Sequence, residues 1–190
     1  MNILNEFIGE FDKKHLISVA GVGFILSPSI LFLNLLYNLI LPSMASADTS
    51  GIPSDVAFLT ISLLLTVIVA PVFEELTYRG LMLIFIKLTK KPLIMLLISS
   101  AVFGYMHEGV FGSFQATIAG FILGCIAYKY GIGFSIITHM ITNALSLFNG
   151  FLIIQLQNPM LLFLFIIELL FGIYLASDLL KGCTLWKDLF

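Results

Sequence analysis

The sequence predicts an all-α protein, a polytopic transmembrane helix bundle with about six spans. Three observations predict it. Of the 190 residues, 59% are hydrophobic and 11% charged, with a mean hydropathy of +1.09, whereas a soluble domain carries about 25% charged residues. Apolar stretches of about the 17 to 25 residues that cross a bilayer as a helix recur along the chain. The lysines gather in alternate connections between those stretches. So little charge cannot cover a water-facing surface, which excludes a soluble enzyme and a disordered chain. A net charge of −2 without a basic patch excludes a nucleic-acid binder.

The elements follow in order. Met1–Lys14 mixes Glu6, Glu10, Asp12, Lys13 and Lys14 and has no small-residue cleavage signature, so it reads as an interfacial segment and not a removed signal peptide. Leu16–Leu41 is the first span, with Pro28 as its expected kink. Pro42–Asp55 is rich in Ser, Pro, Asp and Gly and reads as a loop. Val56–Leu88 is the second span, longer than one crossing needs. Pro92–His107, Ser113–Tyr128, Ile132–Phe148 and Pro159–Leu180 are the third to sixth. Cys125 falls in an apolar run and Cys183 near the end, too few for a disulfide framework. Residues 1–190 are expected to form a single membrane domain.

Lys13 and Lys14 precede span one. Lys87, Lys90 and Lys91 follow span two, Lys129 follows span four, and Lys181 and Lys187 follow span six. The loops after spans one, three and five hold no Lys or Arg. Positive charge marks the cytoplasmic side, so both termini are expected in the cytoplasm of a multi-pass protein of a bacterial cell membrane. Gly120–Gly124 is a small-residue pattern suited to close helix packing, within the chain or between chains.

Ionisable groups inside a span cost several kcal/mol and are functional candidates. They are Glu74, Glu75 and Arg79 in span two, His107 and Glu108 ending span three, His139 in span five and Glu168 in span six, with the amide of Asn143 one turn after His139. Glu75 and Arg79 are i and i+4, so they share a face and can pair. His139 and Asn143 have the same spacing. Glu74 points about 100° from Glu75, toward a different partner. Three helices can therefore gather two carboxylates, two imidazoles, an amide and a guanidinium. Glu108 reads as a solvated interface residue, His15 as interfacial, and Glu168 as either a polar clip or part of a substrate path.

A carboxylate beside an imidazole can hold a water and take its proton. A second imidazole and an amide can donate to a developing oxyanion. The same Glu and His residues are also of the types that ligate zinc. Other protease chemistries fit less well. His107–Glu108 lacks the second histidine of H-E-x-x-H, and the spans hold no aspartate pair. Ser135 lies on the same helix as His139, so Gly133-Phe134-Ser135 is a weak nucleophile signal. No phosphate loop is present, and no two-half repeat supports a transporter.

Glu74-Glu75-Leu76-Thr77-Tyr78-Arg79, Phe103-Gly104-Tyr105-Met106-His107 and His139-Met140-Ile141-Thr142-Asn143 fit, in order, the patterns E-E-x-x-x-R, F-x-x-x-H and H-x-x-x-N. In this the chain resembles the CPBP family of CAAX proteases and bacteriocin-processing enzymes, also called Abi, over about Val56–Gly150, which makes 56–150 the expected catalytic core. The resemblance implies peptide hydrolysis within the membrane. It implies Glu74 as general base working with His107 on water, Glu75 supporting the site with Arg79, and His139 with Asn143 as oxyanion hole. It implies a glutamic-type enzyme with no cofactor. The alternative is a zinc enzyme with Glu74, His107 and His139 as ligands. Hydrophobic or lipidated peptides are the expected substrates: a leader peptide, a pheromone or a bacteriocin precursor. A bacteriocin self-immunity protein of the same fold, with little or no proteolysis, is the alternative function.

Overall fold

The computed structural model describes residues 8–9, 12–40, 56–155 and 158–181. The expected loop Pro42–Asp55, most of Met1–Lys14, Cys183 and Lys187 lie outside them. The described residues form helices and connecting turns, without a strand. Helix α1 is Lys13–Ile40. Helix α2, residues 56–89, runs through Val56–Leu64, a π-helical segment Leu65–Val69, Ala70–Glu74, a second π-helical segment Glu75–Arg79, and Gly80–Thr89. Then come α3, Pro92–Tyr105; α4, Val110–Tyr130; α5, Ile132–Gln155; and α6, Asn158–Lys181.

The predicted spans therefore recur as helices, with three differences. Helix α3 ends at Tyr105, so His107 lies in the turn before α4 and not in the span itself. Helix α4 begins three residues earlier than the apolar run, at Val110, after Gly109 turns the chain at φ +75°. Helix α5 continues beyond Phe148 to Gln155. Asn149, just past the expected end, points its amide at Ser27 and Glu168 rather than at its own backbone.

The outside of the bundle is apolar. Phe73, Leu88, Phe163, Leu170 and Tyr174 are all more than half exposed, as side chains facing lipid would be. Three described stretches, Lys13–Asn34, Thr60–Thr89 and Val110–Tyr130, are long and apolar enough to cross a membrane. Helix α3, at about 21 Å for 14 residues, is shorter than a roughly 30 Å hydrocarbon core. Such a chain is an integral membrane protein.

Lipid tails supply no hydrophobic drive for helices to associate, so close backbone approach must do that work. Helix α1 packs on α6, and a Cβ at Gly172 would lie 2.9 Å from the Gly21 carbonyl oxygen. Helix α3 packs on α4 in the same way. The Gly120–Gly124 pattern faces α3, where Cβ atoms would meet Phe103 at 2.9 Å and Leu96 at 2.8 Å. That pattern therefore packs helices within the chain. Helix α5 sits against α1, α4 and both π segments of α2, which brings His139 and Asn143 to the Glu-Glu-Arg segment.

Candidate active site

The first π segment of α2 has a cause in the sequence. Pro71 has no N–H to give to the carbonyl four residues back, and its ring crowds that carbonyl. The helix widens just before it, and the Ala70 N–H bonds the Leu65 carbonyl five residues back. The next bond of that register would run from residue 71 to the Thr66 carbonyl, and Pro71 cannot make it. Asn143 makes it instead: its Nδ2 donates to Thr66 O at 3.0 Å. An orphaned carbonyl inside a membrane helix is thus what seats the Asn143 amide, leaving the second N–H of that amide uncommitted.

The second π segment carries Glu75 and Arg79. The wider turn brings residues four apart almost above one another. Arg79 Nε lies 3.2 Å from Glu75 Oε2, and both side chains have 0% exposure. Arg79 also donates from Nη1 to Ser99 Oγ at 3.4 Å, and Ser99 Oγ donates in turn to the Tyr78 carbonyl at 3.2 Å. The guanidinium carbon stands 4.7 Å from the centre of the Phe103 ring, a cation–π contact that a desolvated site strengthens.

The other oxygen of Glu75 faces His139. Glu75 Oε1 is 3.1 Å from His139 Nδ1. As Nδ1 is the donor to this carboxylate, Nε2 becomes the working atom of the ring. Nε2 faces Glu74, at 3.8 Å from its Oε2. The two adjacent glutamates therefore reach opposite nitrogens of one imidazole. Glu74 is one-third exposed while Glu75 is fully buried. One carboxylate is open to a ligand and the other is enclosed by protein donors.

His107 comes from the α3–α4 turn. Its Nδ1 lies 2.8 Å from the Phe103 carbonyl. A carbonyl only accepts, so Nδ1 carries the proton and Nε2 presents a lone pair. The Phe103 ring joins the parts: its centre is 4.7 Å from the His107 ring and 5.9 Å from the His139 ring. Among the described residues, no three His, Cys, Asp or Glu side chains converge as a metal-holding group.

Of the residues singled out from the sequence, Glu74, Glu75, Arg79 and His139 form one connected cluster. His107 and Asn143 flank it through Phe103 and Thr66. Glu108 is exposed in the turn after α3. Glu168 lies apart, in a second polar cluster: Asn149 Nδ2 donates to its Oε2 at 2.8 Å and to Ser27 Oγ at 3.0 Å, while Oε1 is buried with no hydrogen-bond partner among the described residues. Sequence reasoning missed Phe103 as the ring that links the histidines to Arg79, and Ser135 as a ligand of Glu75. The available signals were position four before His107 and position four before His139.

Residues 56–145 match the family described as Type II CAAX prenyl endopeptidase Rce1-like. Neither the curated proteins nor the solved structures yielded a match. The matched segment begins with α2 and ends two residues past Asn143, so it contains all three motifs and every residue of the cluster. Through that segment the chain is similar to the Rce1-like, or CPBP, family of CAAX-type membrane endopeptidases.

Proposed function

We propose that the chain is a metal-free, glutamic-type intramembrane endopeptidase that hydrolyses a peptide bond with an activated water. The observation that carries this reading is the arrangement around His139: Glu75 holds Nδ1 at 3.1 Å and Nε2 is turned toward the partly open Glu74 at 3.8 Å. That leaves a gap between Glu74 and His139 too long for a direct hydrogen bond and suited to a reacting group.

In this reading Glu74 takes the proton of a water that His107 Nε2 also holds. The oxygen adds to the substrate carbonyl. The developing oxyanion is met by the uncommitted N–H of Asn143 and by His139, which donates from Nε2 when the ring carries both protons, its Nδ1–H being held on Glu75. Glu74 returns its proton to the leaving amine. Arg79 stays beneath Glu75 and offsets its charge, so the site holds two carboxylates without two unpaired charges. No covalent intermediate is needed.

On the same reading, residues 1–190 form one six-crossing domain with 56–150 as catalytic core and both termini in the cytoplasm. Alternating lysine-bearing and lysine-free connections support that orientation. The apolar flank of α2 and α3 near the site favours a hydrophobic or lipid-anchored peptide as substrate. The test is cleavage of prenylated and plain fluorogenic peptides by purified protein in 18O-labelled water. Label appearing in the new carboxylate after a single turnover, with no acyl-enzyme trapped by hydroxylamine, is expected. A trapped acyl-enzyme would contradict direct water attack, and no cleavage of any peptide would move the weight to an immunity role.

A further inference from the structure

Ser135 lies one turn before His139 on α5 and has 0% exposure. Its Oγ is 2.5 Å from Glu75 Oε2 and 2.9 Å from the Leu123 carbonyl oxygen. A hydroxyl has a single proton to give. Glu75 Oε2 also lies 3.2 Å from Arg79 Nε, as the carboxylate of an ion pair, so this oxygen is an acceptor and does not carry a proton itself. The Leu123 carbonyl sits inside α4, where the helix ladder already supplies a donor. The serine proton therefore goes to Glu75, and 2.5 Å is the length of an O–H···O⁻ hydrogen bond.

We propose that Ser135 is a positioning residue that sets the protonated nitrogen of His139. Ser135 and His139 project from adjacent turns of one helix. By clamping Oε2 of Glu75, Ser135 turns Oε1 toward Nδ1 of the imidazole on the next turn. The carboxylate comes from α2, yet its orientation is fixed by the helix that carries the ring it must serve. Arg79 alone cannot do this, because it shares α2 with Glu75 and leaves the carboxylate free to swing relative to α5. Without the serine hydroxyl, Oε1 holds Nδ1 only part of the time. The neutral ring of His139 then divides between its two tautomers, and Nδ1 is no longer the fixed donor to Glu75. A serine buried in this way is also not a nucleophile, since its proton and both its neighbours are committed.

The consequence for turnover rests on the proteolytic reading above, but the geometry is testable without it. The chain has three histidines, so 15N-histidine labelling of the full-length protein in micelles gives a spectrum assignable with His15→Gln and His107→Gln. The wild type is expected to show His139 protonated at Nδ1. Ser135→Ala and the near-isosteric Ser135→Cys are expected to show a mixture of tautomers, while Ser135→Thr keeps the wild-type signal. In peptide cleavage, Ser135→Ala is expected to lower kcat about 10- to 100-fold, in the range seen for residues that orient a functional histidine, with KM held within about twofold. An unchanged His139 spectrum in Ser135→Cys, or a wild-type ring protonated at Nε2 alone, overturns the proposal. A wild type that cleaves nothing, with a His139 spectrum that shifts in Ser135→Cys, leaves the positioning role standing and removes the proteolytic reading.

Discussion

Arg79→Met removes a buried cation and keeps much of its volume, so it tests whether the Glu75–Arg79 pair holds the site together. Arg79 Nε and Glu75 Oε2 are 3.2 Å apart with both side chains fully enclosed. At an effective dielectric near 20 their gross attraction is roughly 5 kcal/mol, much of it offset by desolvation of the two ions. The single replacement is costly for a different reason: it strands the Glu75 carboxylate in the bundle. Breaking a buried pair from one side costs about 3–5 kcal/mol. Ser135 and His139 still donate to Glu75, which places the electrostatic cost near the lower end. Loss of the cation–π contact with Phe103 adds about 0.5–2 kcal/mol. The expected destabilisation is therefore about 3–5 kcal/mol, read by circular dichroism as the protein unfolds in mixed detergent–SDS micelles. Adding Glu75→Gln removes the stranded charge and is expected to recover about 2 kcal/mol of it. A cost below about 1 kcal/mol for Arg79→Met, or a double variant no better than Arg79→Met, would refute the reasoning.

Further outcomes follow from the same geometry. Asn143→Ala is expected to cost about 1–3 kcal/mol by leaving the Thr66 carbonyl without a donor; adding Pro71→Ala restores an N–H in register, and a double variant no more stable than Asn143→Ala would contradict that account. Gly80 has helical φ and ψ, and a methyl group added there would meet nothing within 4 Å. Gly80→Ala should therefore raise unfolding stability by about 0.5–1 kcal/mol, and a loss would mean that the glycine is needed for an approach that the free protein does not display. Glu168→Gln keeps an acceptor for Asn149 and removes a charge from the bundle. Its stability is expected to equal or exceed that of the wild type by up to about 2 kcal/mol, and a loss of more than about 1 kcal/mol would show that the carboxylate form is required.

The helices were legible because each had to bury or expose a long apolar run, and six such runs stand apart in the sequence. The candidate site residues stood out because charged groups are scarce in those runs. What the pattern did not carry were departures from regular geometry. Helical projection sends Glu74 and Glu75 about 100° apart, toward different partners, yet both reach His139, from its two ring nitrogens. That convergence depends on a π segment that begins at Glu75 and on how α5 packs against it. Pro71 announced a disturbance but not which carbonyl would be orphaned, so the seat of Asn143 appeared only with the partner helix in place. Ser135 and Asn149 were hidden for a related reason. Serine and asparagine are ordinary in membrane helices, and only contact with Glu75 and Glu168 across helices gives them meaning.

The central claim is that Glu74 activates water without a metal. The most direct test is cleavage of a peptide substrate by wild type and by Glu74→Gln, each with and without o-phenanthroline. Wild-type cleavage is expected to survive the chelator, and Glu74→Gln to lose about 100- to 10,000-fold in kcat, the range for removal of a general base. Cleavage abolished by the chelator and restored by zinc would contradict the metal-free mechanism, and full activity in Glu74→Gln would contradict the assignment of the base.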